Sequence, residues 1–364
     1  MRISGFEVSL LGLPHDEPLA GGPSRSDAKR PTVLLLLQTD DGVEGIGFTF
    51  LGAALSRALK IAVEDMAGAC VGLDASRPEQ IREKLLAMAG GSGPAGIFTL
   101  ALAAIDIALW DIRGKVVGQP IWRLLGGAGA PVPAYASGAL MRNFDNDTVL
   151  RACSRLVDAG YRHVKMQLAL PGGYDRRLEV ERMRLIRQAI GEDVELMCDV
   201  NQLWSVEQAV EMGNALAEFN LEWLEDPVSS DDLAGQATVI ANQPIAVATG
   251  EYIYGLAGFR QLLKTAPPDF VMIDPFRAGG ITPWLEIAEL ARDYDRPVVS
   301  HLAPEVQIHL MAAIPNGHTL EYMPWSLAMF KEPPWPRDGY LHPSERPGLG
   351  LEIDSSAVSR YRVW

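Results

Sequence analysis

Two periodicities divide the chain. Up to residue 50 the apolar residues fall into short strand-like runs: Arg2–Leu13, Pro31–Thr39 around Val33-Leu-Leu-Leu-Leu37, and Val43–Phe50. The Asp41-Gly42 pair is a hairpin signal between the last two, so an antiparallel sheet is expected. From 51 to 125 the apolar spacing becomes helical, over Ala53–Val71, Pro78–Ala89 and Phe98–Val117. The breaker Gly90-Gly-Ser-Gly-Pro-Ala-Gly96 precedes the third helix, whose Leu100, Ala103, Ala104, Ile107, Ala108 and Ile112 share one face. From Pro131 short apolar runs alternate with amphipathic stretches. Strands are expected at 132–137, 161–167, 194–200, 221–225, 244–250, 270–274, 297–301 and 318–322. Helices are expected between them, over Asn146–Ala159, Leu178–Ile190, Ser205–Glu218, Leu256–Lys264 and Pro283–Tyr294. That alternation predicts a closed parallel barrel with its active site at the C-terminal strand ends. The tail from Glu332, rich in Pro, Trp and Gly, should pack back on the N-terminal region. Segment 14–30 is polar and rich in Gly and Pro, long enough to suggest a lid.

Composition narrows the class. The 364 residues are 48% hydrophobic and 21% charged, with a net charge of −14. That charge argues against nucleic acid and anionic membranes as partners. It leaves an anionic small molecule open, since a local cation can dominate one pocket. No run of 18 apolar residues occurs. The N-terminus lacks a signal-peptide core, and Cys70, Cys153 and Cys198 are sparse and unpaired by spacing, so a cytoplasmic protein is expected.

Three expected strands end in acids, and the interval of 26 residues repeats: Asp199, Glu225, Glu251. One such acid is commonly a helix cap. Three in register, at equivalent strand ends, converge, and converging carboxylates repel unless a cation lies between them. Oxygen-only ligands favour Mg²⁺. On the second barrel strand, period-two alternation places His163, Lys165 and Gln167 on one face. Lys165 could meet a substrate carboxylate or neutralise Asp199 or Glu225; His163, deeper, reads as a satisfied core histidine. Asn201 shares a face with Asp199. Asp274 and His301 end adjacent strands, where the carboxylate can orient the imidazole as a base. Glu321 could donate a hydrogen bond to a substrate carboxylate if its setting keeps it protonated. Ser137 could touch substrate or cap a turn. Asp106 and Asp111 read as buried structural partners of backbone or Arg.

Asp199 with Asn201, Glu225-Asp-Pro, Gly250-Glu251, Asp274-x-x-Arg277-x-Gly279-Gly280, Ser300-His301, Glu321 and Ile107-Ala-Leu-Trp-Asp111, in this order and spacing, resemble the enolase superfamily and its mandelate racemase subgroup. The resemblance covers essentially the whole chain. It implies an α/β fold: an α+β capping domain (1–125, completed by tail 332–364) on a modified TIM barrel, (β/α)7β, over 126–331. It implies one Mg²⁺ held by Asp199, Glu225 and Glu251, removal of the proton α to a carboxylate to give an enediolate, and a homo-oligomer. The subgroup usually carries Lys-x-Lys where this chain has Lys165-Met166-Gln167. Glutamine is no base at neutral pH, so one-base chemistry with His301, Asp274, Lys165 and Glu321 is expected, with Gln167, Asn201 and Ser137 towards the substrate. The favoured reaction is dehydration of a sugar acid to a 2-keto-3-deoxy acid. The alternatives are a racemase or epimerase, a lactone cycloisomerase, or a non-catalytic sugar-acid binder.

Overall fold

The computed structural model describes residues 1–14, 19, 29–50, 52, 54–93 and 95–364. Most of the expected lid, 14–30, lies outside the described residues. Strands β1 (Ile3–Pro14), β2 (Lys29–Thr39) and β3 (Glu44–Phe50) form an antiparallel sheet in sequence order. The hairpin between β2 and β3 turns at Gly42, whose φ of 84° suits the residue without a Cβ. The helix Ile97–Val117 lies across this sheet, buried along most of its length. It approaches so closely that a Cβ on Gly47 would sit 1.9 Å from the Ala104 carbonyl oxygen. Its two acids are structural, as expected. Asp106 accepts from the Thr282 backbone N–H at 2.9 Å and its hydroxyl at 2.7 Å. Asp111 accepts from the backbone N–H groups of Ile46 and Leu349, both at 2.8 Å, and from Lys115 at 2.7 Å. The partners are backbone, a hydroxyl and a lysine rather than an arginine. They bind this one helix to sheet, barrel and tail.

The barrel strands are β4 (Val132–Leu140), β5 (His163–Gln167), β6 (Glu195–Asp199), β7 (Leu221–Glu225), β8 (Val247–Thr249), β9 (Phe270–Ile273), β10 (Val298–Ser300) and β11 (Leu320–Tyr322). All eight are parallel, in the order β10-β9-β8-β7-β6-β5-β4-β11. Backbone bonds from His318 to Val298 (2.8 Å) and from Ser300 to Thr319 (3.3 Å) bring β11 back to β10, nearly closing the ring. Period-two alternation puts Tyr135, Met197, Trp223, Met272 and Val299 inside as a packed plug. The next inward positions on β6 and β7 are Asp199 and Glu225, at the mouth.

One expected boundary differs. β4 does not stop near Ser137 but runs on to Leu140, with its register interrupted between Ala136 and Leu140 and Gly138 at φ 90°. Such an irregularity inserts residues without ending the strand. Ser137 is therefore mid-strand, and Arg142 occupies the rim. The tail touches both parts of the molecule. Strand β12 (Tyr340–Leu341) pairs antiparallel with the start of β4, and Trp364 exchanges backbone bonds with Leu10 of β1. No helix among the described residues is long and apolar enough to cross a membrane.

Candidate active site

Acidic side chains crowd the barrel mouth. Asp199, Glu225, Asp226 and Glu251 are at most 3% exposed. Asp199 and Glu225 face each other as register partners of neighbouring strands. Several residues just beyond the strand ends take left-handed φ: Asn201 (47°), Asp226 (39°), Leu302 (55°) and Ala303 (44°). Backbone strain of this kind concentrates where side chains must be aimed.

Lys165 is the cation of the centre. Its Nζ lies 2.5 Å from Glu225 and 2.8 Å from Glu321. Burial works against its charge, but Glu225 and Glu321 outweigh burial and keep the ammonium protonated. One cation cannot neutralise two carboxylates. Burial would raise Glu321, but Lys165 and His301 hold it down to about 2. Burial pushes Glu225 up to about 8, because Lys165 is shared while Asp199, Glu321 and Asp226 repel its charge. Glu321 is thus a carboxylate, and the condition for its acting as a protonated donor is not met: it accepts from the Leu302 N–H at 2.7 Å and forms an ion pair with Lys165. Lys165 sits between the two strands that carry its partners only because the barrel closes. Glu225 also accepts from the Trp223 indole at 2.9 Å.

On the far side of the mouth His301 and Asp274 form the expected dyad, Nδ1 to Oδ2 at 2.7 Å. Asp274 is the N-cap of the short helix Pro275–Ala278, and its Oδ1 accepts from the Phe276 (2.8 Å) and Arg277 (2.7 Å) N–H groups. Those bonds fix the carboxylate, so the ring is fixed too. The other ring nitrogen, Nε2, is 3.2 Å from Glu251. Burial would lower the imidazole, but the Glu251 charge and the Asp274 hydrogen bond raise it to about 9. The motif glycines serve packing: a Cβ on Gly280 would meet the Asp106 side chain at 2.4 Å.

Opposite the dyad, Gln167 donates to Asp199 (3.2 Å) and to Asn201 Oδ1 (3.0 Å). Asn201 Oδ1 also accepts from Arg142 at 2.6 Å. Arg142, Asp226 and Tyr252, whose hydroxyl is 3.5 Å from Asn201 Nδ2, were not singled out from sequence. Asp226 and Tyr252 flank motif acids and could have been found by that adjacency; Arg142 carried no signal, because β4 had to run past Ser137 to place it. Ser137 is buried and takes no part in these hydrogen bonds among the described residues. His163 is half-buried near Glu222 and His318, away from this centre, rather than a core residue.

The donor set fits a hard divalent cation: buried carboxylates only, with Glu225, Asp226 and Glu251 pushed up by burial and by their neighbours' charge. As placed, the acids turn to Lys165, Gln167 and His301, and among the described residues no three of them close a cage.

Comparisons with known proteins match both halves of the chain. Residues 148–357 match the family described as "Enolase C-terminal domain-like", and residues 23–126 match "Mandelate racemase / muconate lactonizing enzyme, N-terminal domain". The chain is similar to L-talarate/galactarate dehydratase of Salmonella typhimurium, 31% identical over 361 residues, 98% of this chain and 90% of that one. It is 33% identical over 384 residues to D-galactarolactone cycloisomerase of Agrobacterium fabrum, covering 100% of this chain and 99% of that one. The Salmonella dehydratase crystallised with Mg and L-lyxarohydroxamate superimposes with a TM-score of 0.91, at 31% identity, over 100% of this chain and 93% of that one.

Proposed function

The chain belongs to the enolase superfamily, in its mandelate racemase subgroup, and on that footing we propose that it is a Mg²⁺-dependent dehydratase of sugar acids, converting an aldonate or aldarate to a 2-keto-3-deoxy acid. The observation that carries the reading is the asymmetry of the mouth. One side holds an oriented His301–Asp274 pair; the other holds Gln167, Asn201 and Arg142, none of which is a base at neutral pH. His301, just past the end of β10, and Gln167 on β5 stand across the ring from each other.

Asp199, Glu225 and Glu251 are the residues we assign to the cation. Bound there, a divalent ion draws charge from the substrate carboxylate and so lowers the barrier to breaking the α-C–H bond. Asp274 holds the Nδ1–H of His301; with a cation taking up the Glu251 charge that raises the ring, the neutral imidazole would present its Nε2 lone pair to the α-proton. The imidazolium so formed is stabilised by Asp274 and returns its proton to the departing β-hydroxyl, which leaves as water. The enol that remains tautomerises to the 2-keto acid. Lys165, fixed by Glu225 and Glu321, offers its ammonium to the substrate carboxylate. Asn201 and Gln167 are positioned by Arg142 and Asp199 to receive substrate hydroxyls.

In this reading 126–331 is the catalytic barrel, and 1–125 with 332–364 is its cap. The protein acts in the cytoplasm, which the three buried free cysteines suit, and as a homo-oligomer. The likeness to a cycloisomerase supports a second reading, opening of a sugar-acid lactone in which loss of the α-proton expels the ring carboxylate from the β-carbon and no water is released. The test is a panel of aldonic and aldaric acids assayed for 2-keto acid, with α-proton exchange followed in D₂O. Dehydration predicts keto acid from at least one substrate and exchange of one α-epimer, both lost in His301→Asn. Keto acid formed from the corresponding lactones, assayed beside the open acids, but not from the acids themselves would assign the cycloisomerase instead, and near-normal turnover by His301→Asn would refute the base.

A further inference from the structure

Beyond His301 the chain turns through a strained backbone. Leu302 and Ala303, both carrying a Cβ, hold φ of 55° and 44°. Two such residues in succession persist only where the surroundings fix them. Glu321 accepts from the Leu302 N–H at 2.7 Å, and the Ala303 carbonyl accepts from the N–H groups of Val306 and Gln307, both at 2.9 Å. Val306 and Gln307 belong to the helix Pro304–Met311, which begins three residues after His301.

The same helix sends one side chain back to the strand ends. Gln307 is fully buried. Its Nε2 donates to the Ile273 carbonyl at 2.9 Å and to the His301 carbonyl at 2.7 Å. Both partners can only accept, so the amide must turn its NH₂ towards them. Each carbonyl lies in a peptide plane of the dyad: that of Ile273 leads into Asp274, and that of His301 leads out of His301. The Ile273 carbonyl also accepts from the His301 N–H at 3.2 Å. One amide thus ties the backbone of the imidazole to the backbone of the carboxylate that orients it. The bond to Asp274 fixes Nδ1 alone. Where Nε2 points depends on where the His301 backbone sits. If that backbone shifts, the ring keeps Asp274 only by swinging Nε2 out of place.

We infer that Gln307 is a positioning residue for the base, acting through the peptide groups of Ile273 and His301 to aim Nε2 at the substrate. The role deepens the dehydratase reading and rests on His301 as its base. The amide adds little to the fold itself. Its Oε1 is buried as well and has no hydrogen-bond partner among the described residues. An apolar side chain of similar length removes that unpaired acceptor and leaves another at the His301 carbonyl, while the Ile273 carbonyl keeps the His301 N–H. The two changes are of one kind and offset each other in stability. The aim of the ring has no such compensation.

The experiment compares the full Mg²⁺-loaded chain with its Gln307→Met and Gln307→Leu variants. Three quantities are read: steady-state kinetics on a sugar acid that the native chain turns over, urea unfolding, and the His301 Nδ1–H resonance by ¹H NMR without substrate. The expected result is a kcat lower by about 10- to 100-fold, the scale of a misplaced reacting group. KM should change little, because Gln307 binds no substrate. The unfolding midpoint should stay near the native one, and the Nδ1–H resonance should shift and exchange faster with water. An unchanged kcat or an unchanged resonance would overturn the assignment. So would a fall in kcat matched by a fall in stability, or a variant that does not fold, since either makes the amide structural. If the native chain turns over no sugar acid, the dehydratase reading fails, and the resonance alone still decides the role of Gln307.

Discussion

Replacing Asp274 by Asn tests the orientation of the base more sharply than deleting it. Asp274 Oδ1 is pinned by two backbone N–H groups at 2.8 and 2.7 Å. An asparagine there keeps its carbonyl oxygen towards those donors, so its NH₂ group faces His301 Nδ1, 2.7 Å away in the native pair. Two donors cannot share that contact. The ring must present the Nδ1 lone pair and carry its proton on Nε2, where it cannot take another. Reversing the tautomer leaves two buried donors opposed, at about 1–3 kcal/mol each. The sum, roughly 2–6 kcal/mol, corresponds to a loss of about 30-fold to 10⁴-fold in kcat. Asp274→Ala loses the cap and the anion but frees the ring, so Asn should be no better than Ala. The assays are α-proton exchange in D₂O by ¹H NMR and the His301 ring tautomer by ¹⁵N NMR. An Asn variant with more than about a tenth of native exchange, or one with the proton still on Nδ1, would refute the argument.

Three further outcomes are expected. Glu225→Gln should lose Mg²⁺ affinity, read by calorimetry, and chelation should abolish turnover of the native chain; full activity without metal would discard the assignment. Gln167→Lys should gain slow exchange of the opposite α-epimer by NMR, slow because Asp199, 3.2 Å from the native amide, will hold the new ammonium protonated. Burial raises Glu305 to about 7, so the fold binds its proton more tightly than the unfolded chain does. The stabilisation is complete below the unfolded carboxyl range and is lost as pH rises towards 7, by about 3 kcal/mol in all. Urea unfolding at pH 5 and 8 should therefore show a smaller difference in Glu305→Gln than in the native chain, and equal differences would count against the buried carboxyl.

Much of this molecule is written in local periodicity. Strand ends follow from where apolar alternation stops, so the sequence alone placed Asp199 and Glu225 side by side and Asp274 beside His301; Glu251, expected at the same height, lies past the end of β8, where Ala248 is the register partner of Glu225. The capping sheet and its buried helix were legible for the same reason: Gly42 marks the turn, and the apolar face of Phe98–Val117 repeats at helical spacing. What depends on barrel closure was not legible. Whether Glu321 is charged depends on Lys165 reaching it from β5 through space, since β11 joins β4 only in the ring. Arg142 reaches the site because a register break at Gly138 carries β4 past the point where its pattern ends. Glu305 and His309 are buried because Ser326 and the tail fold back over the helix that carries them, contacts between segments with no shared period. Periodicity records the neighbours that a residue has along its own element; charge state, partners and cavities belong to neighbours across elements, and only packing supplies those.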